Sequence, residues 1–99
     1  MAVNRGPNPA HIVTVTDLSP QTLRSLIAHL EVSTDFEHLV YRESELDAIW
    51  SISGFVLKND PEKADGETIH RVHEAAHRAH DLVASGRPRE AADILRTCL

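Results

Sequence analysis

The stretch E-T-I-H-R-V-H-E-A-A-H-R-A-H-D-L-V-A-S-G-R-P-R-E-A-A-D-I-L-R-T-C-L, residues 67–99, decides the fold class. Ile69, Val72, Ala76, Ala79 and Val83 recur at steps of three and four, with Leu82 beside them, which is one stripe of an α-helix. Gly86 follows the last periodic residue, where a helix ends in a left-handed cap. Pro88 stands where the first turn of a following helix tolerates a missing N–H. Ala91, Ala92, Ile94, Leu95 and Leu99 supply a second apolar face. So short a link turns the second helix back antiparallel to the first, and the alanines allow close approach. The expected fold is therefore mainly α, built on this helical hairpin.

His70, His73, His77 and His80 form a second stripe, each one position after a core residue. One step is about 100° of rotation, so the stripe flanks the buried face. Neutral imidazole is a good transition-metal ligand, and residues at i and i+4 lie one above the other. These four histidines are the candidate metal ligands, with His73 and His77 able to share an ion, as are His70 and Glu74. The piece G-R-P-R-E-A-A-D-I-L resembles half of a tetratricopeptide repeat, which implies a helical hairpin; no second copy follows at a period near 34 residues.

His73-Glu74-Ala75-Ala76-His77 is a literal H-E-x-x-H and resembles the zincin peptidases over five residues. That resemblance implies two zinc ligands and a general base. The chain departs from the pattern at Arg78, where the family has a hydrophobic residue, and no third ligand follows in a G-x-x-H. Glu74-x-x-His77 and Glu67-x-x-His70 also resemble the ligand pairs of di-iron bundles, for which Asp35-x-x-His38, Glu43 and Glu45 would be the other carboxylate sources.

Upstream, residues 1–10 (M-A-V-N-R-G-P-N-P-A) read as a flexible arm and residues 11–99 as a single small helical domain. Residues 11–16 (H-I-V-T-V-T) are β-branched and read as a lone strand. A lone strand exposes main-chain donors and acceptors, so it must pair with a second copy or a partner, or lie on its own helices. Ser19 is a good N-cap with Pro20 behind it, opening a helix whose buried face is Leu23, Leu26, Ile27 and Leu30. Thr34 and Glu37 read as a capping box that starts a long helix near Asp35. Phe36, Leu39, Val40, Leu46, Ile49, Trp50, Ser53, Phe55, Val56 and Leu57 include its inward face, and Glu43, Glu45 and Asp47 make its middle acidic. Gly54 marks a close backbone approach or a kink.

Strand, Ser-Pro link, helix, break and helix over residues 12–50 resemble a ribbon-helix-helix DNA-binding unit. The resemblance implies a dimer whose paired strands read bases, here with Thr14 and Thr16 outward and Val13 and Val15 inward. The strand carries no Arg or Lys, and a dimer would hold about −10 charge.

Composition narrows the function classes. The 99 residues carry a formal charge of −5. Residues 1–66 hold ten acids and five bases, and residues 67–99 hold five of each, so the surplus lies upstream of the hairpin. An acidic surface repels a nucleic-acid backbone and suits a basic partner. One cysteine, Cys98, makes no internal disulfide; with no long apolar run and no leader pattern, a cytoplasmic protein is expected, and arginine outnumbering lysine eight to two points to a bacterial source.

The expected function is a non-catalytic accessory or regulatory protein acting through a protein interface, as a homodimer or complex subunit. Ile12, Val13 and Val15 are its expected pairing residues, Trp50, Phe55 and Leu57 its apolar anchors, and Glu43, Glu45 and Asp47 its steering acids. No catalytic residue and no cofactor are expected. A metal-binding module on the histidine face and a ribbon-helix-helix-like DNA-binding dimer are the alternatives.

Overall fold

The computed structural model describes residues 8–60 and 66–99. Four helices follow one another: α1 (Pro20–Val32), α2 (Phe36–Asn59), α3 (Gly66–Ala84) and α4 (Pro88–Arg96). The α2–α3 contact is the most extensive, α4 packs on both α3 and α1, and α1 closes onto α2. The two helices of the 67–99 hairpin thus pack on each other, with α2 against α3 and α1 against α4.

The stops and starts are chemical. Gly86 takes φ 77°, and the N–H groups of Gly86 and Arg87 donate to the carbonyls of Val83 and Leu82, at 2.9 and 2.8 Å. The last turn of α3 is thereby satisfied by a left-handed cap. Pro88 opens α4 where its missing N–H costs nothing. Ser19 caps α1 by accepting from the Thr22 N–H, and Asp17 accepts from the Ser19 N–H and the Thr22 hydroxyl. The capping box expected at Thr34 and Glu37 does not form. Asp35 is the N-cap of α2 and makes no side-chain cap bond.

The core is aliphatic and small-residue rich. Leu23, Leu26, Ile27 and Leu30 of α1 meet Leu46 and Ile49 of α2. Val72, Ala75, Ala76, Ala79 and Val83 of α3 and Ala91, Ala92 and Leu95 of α4 complete it. Burying each leucine or isoleucine is worth about 1.5–3 kcal/mol, and the alanines let α3 and α4 close together.

Among the described residues there is no β-strand. Residues 11–16 keep the expected alternation, with Ile12, Thr14 and Thr16 exposed and Val13 and Val15 half-buried. Their polar main chain finds partners on α2, where Arg42 donates to the His11 carbonyl at 2.6 Å and Glu45 accepts from the Val13 N–H at 2.5 Å. Two side chains of one helix replace the strand partner, and Val15 and Leu18 pack against the core. Of the expected arm, residues 1–7 lie outside the described residues, and residues 8–10 form a turn in which the His11 N–H donates to the Asn8 carbonyl.

Candidate functional site

The site is built on α2, whose polarity is inverted. Its fully buried residues are Arg42, Glu45, Leu46, Ile49 and Ser53. Its exposed ones include four large apolar side chains: Phe36 at 82%, Phe55 at 68%, Trp50 at 43% and Val40 at 41%. A helix that hides charge and shows aromatics reverses the usual partition of side chains.

The buried charge comes as a pair. Arg42 Nε lies 2.5 Å from Glu45 Oε1, and its Nη2 donates to Glu45 Oε2 at 2.9 Å. The remaining guanidinium hydrogens go to the carbonyls of Pro9 and His11 and to the Ser33 hydroxyl. Loss of water pushes the Glu45 carboxyl above its usual range, against the opposing pull of Arg42 and the Val13 N–H. Glu45 is thus corrected from a surface steering acid to an internal one. The i, i+3 spacing of Arg42 and Glu45, set on the same side as Leu46 and Ile49, was the available sequence signal, because a charge among core positions needs a partner there.

The outward residues of α2 run Phe36, Val40, Glu43, Asp47, Ser51 and Phe55, at helical steps of three and four. Asp47 is exposed and Glu43 half-buried, so acid sits between an apolar pair at one end and Phe55 at the other. Leu57 is half-buried and Ile12 is 67% exposed. Ile12, Val13 and Val15 belong to the segment held by Arg42 and Glu45, so they are not gathered with Phe55 into one patch by α2.

The histidine stripe divides. His70 and His77 are exposed, and His73 and His80 are half-buried. His73 stacks on Trp50, ring centroids 5.1 Å apart at 17°, and His77 tilts against the same indole at 6.4 Å and 36°. His73 Nδ1 lies 2.8 Å from the Ser53 hydroxyl and 3.1 Å from the Trp50 carbonyl. Gly54 explains the close approach of α3, since a Cβ there would meet His73 Cε1 at 3.2 Å. His80 lies between Asp47 and Asp81, at 3.9 and 4.0 Å. Among the described residues, no three His, Cys, Asp or Glu side chains converge as a metal-holding group, so neither a complete zincin ligand set nor a di-iron set is assembled. Burial pushes the Cys98 thiol up, against the opposing pull of Thr97 and Arg71.

No family model, no curated protein and no solved structure matches this chain. Among the described residues no helix is long and apolar enough to cross a membrane.

Proposed function

We propose that this chain is a non-catalytic accessory or regulatory protein that binds a protein partner through the outer face of α2. The observation that carries this reading is the inverted burial of α2: Phe36 and Phe55 stand exposed while Arg42 and Glu45 are enclosed. Large aromatics in water are the side chains that most often anchor an interface. The acids between them define the partner's chemistry. In a symmetric antiparallel pairing of two α2 helices, Glu43 and Asp47 of both copies would meet near the centre, like charge against like. A basic amphipathic segment has no such conflict: its apolar ends meet Phe36 with Val40 and Phe55, and its cations meet Glu43 and Asp47.

The test is capture from the source lysate with a tag that contains no histidine, comparing wild type with Phe36→Ser, Phe55→Ser and Asp47→Lys. These residues lie outside the core, so circular dichroism should be unchanged. The expected result is one nuclease-resistant protein, retained by wild type and lost by all three variants. Capture that survives the three substitutions would overturn the assignment of the face. A concentration-dependent dimer abolished by Phe36→Ser would replace the basic partner with a second copy.

A further inference from the structure

The seam between α2 and α3 carries a second feature, separate from the outer face of α2. Two imidazoles, His73 and His77, lie one turn apart on α3 against a single indole, Trp50 of α2. The depression they line with Trp50, Glu74 and Arg78 is open to solvent and has a volume of about 370 Å³.

The tautomer of His73 follows from its neighbours. The Trp50 carbonyl, 3.1 Å from Nδ1, can only accept. The Ser53 hydroxyl, 2.8 Å from the same nitrogen, has its own acceptor in the Ile49 carbonyl at 2.8 Å. One assignment satisfies all three groups: Ser53 donates to Ile49, and His73 Nδ1–H donates towards the Trp50 carbonyl and the Ser53 oxygen. Neutral His73 then carries its lone pair on Nε2. A histidine whose Nδ1–H is held by a main-chain carbonyl is the usual form of a histidine metal ligand, because that bond fixes the ring and raises the basicity of the other nitrogen.

We propose that His73 and His77 together bind one divalent transition-metal ion of the imidazole-preferring class, nickel, copper or zinc, at the edge of Trp50. Their i, i+4 spacing puts both rings on one side of α3. Contact with the indole restrains both rings before the ion arrives, which lowers the ordering cost of chelation. Two protein donors leave the remaining coordination positions to water or to an exogenous ligand, so the ion is exchangeable. The i, i+4 pair His77 and Asp81, Nε2 to Oδ2 at 4.0 Å, is the competing geometry, and it lacks the second-side hydrogen bond that fixes His73.

Trp50 is the chain's single tryptophan, so it reports on the site directly. Nickel(II) chloride is titrated into the full chain, prepared without a histidine tag, while tryptophan emission is followed. The expected result is saturable quenching at one ion per chain, reversed by excess zinc chloride. His77→Ala, an exposed position, should weaken the apparent affinity at least about tenfold with circular dichroism unchanged, and His73→Ala should abolish saturable quenching. His70→Ala and Asp81→Asn should titrate like wild type. Absence of saturable quenching overturns the proposal, and so does affinity unchanged in His77→Ala. Loss of binding in Asp81→Asn equal to that in His77→Ala would move the ion to the His77–Asp81 pair and overturn it as well.

Discussion

Arg42 and Glu45 show how a buried ion pair is held by the groups around it. The Arg42 side chain is fully enclosed, and its guanidinium meets a carboxylate, two main-chain carbonyls and a hydroxyl. Removing one member leaves the other charge buried and unpaired, which costs about 3–5 kcal/mol. Arg42→Ala should therefore lower the unfolding free energy measured in urea by that much, while Arg24→Ala on the exposed side of α1 should change it by less than about 0.5 kcal/mol. The pH dependence has a definite sign. Burial holds the Glu45 carboxyl above its ordinary value of 4.5. Its favourable contribution is fully present below 4.5 and is lost as pH rises through the raised value. Subtracting the unfolding free energy of Glu45→Gln from that of wild type isolates this contribution, and the difference should fall as pH rises through that window. A flat or rising difference would show that Arg42 outweighs desolvation.

All four helices were legible in the sequence, but the buried face of α2 was read only in part, with Leu46, Ile49 and Ser53 inside as expected and Phe36, Val40, Trp50 and Phe55 outside. In α1 the apolar set Leu23, Leu26, Ile27 and Leu30 is the buried set, and in α3 and α4 the small and branched residues behave alike. There, hydrophobicity and burial coincide. In α2 they separate, because Arg42 and Glu45 are satisfied by groups 31 to 33 positions earlier in the chain, which no local period encodes. The same cause left open which outcome residues 11–16 would take, since the His11 carbonyl and the Val13 N–H are met by Arg42 and Glu45 rather than by a ladder. Of the candidate site, the exposure of Trp50 and Phe55 was readable as surplus apolar surface. The pairing of Trp50 with His73 and His77 depends on the crossing of α2 and α3 at Gly54 and was not. Two substitutions separate the kinds of element. Gly86→Ala, at φ 77° with no atom within 4 Å of the new Cβ, meets only backbone strain and should cost about 1–2 kcal/mol in thermal unfolding. Leu30→Ala, at 0% exposure, should cost about 2–5 kcal/mol in the same assay, far above Phe36→Ser.

Charge and apolar surface are distributed over the molecule so that, in the proposed binding of a basic partner, encounter and grip would fall to different residues. The net charge of −5 comes from residues 1–66, which contain the outer face of α2. Encounter with a basic partner should therefore slow as salt rises, since exposed acids are screened over roughly 8–10 Å at physiological ionic strength. Dissociation should depend on Phe36 and Phe55 and change little with salt. Stopped-flow association at two salt concentrations checks this division, and a salt-independent on-rate would contradict it.

The bond from Arg42 and Glu45 to the segment of residues 9–13 also has a mechanical meaning. A force drawn from residue 8 along this segment, away from α2, loads the Pro9 carbonyl first, then the His11 carbonyl, then the Val13 N–H, one bond at a time. Bonds peeled in succession yield at lower force than bonds sheared together. The segment should therefore come away as a distinct low-force step, uncovering two opposite charges that water can reach, while the four helices still bear load.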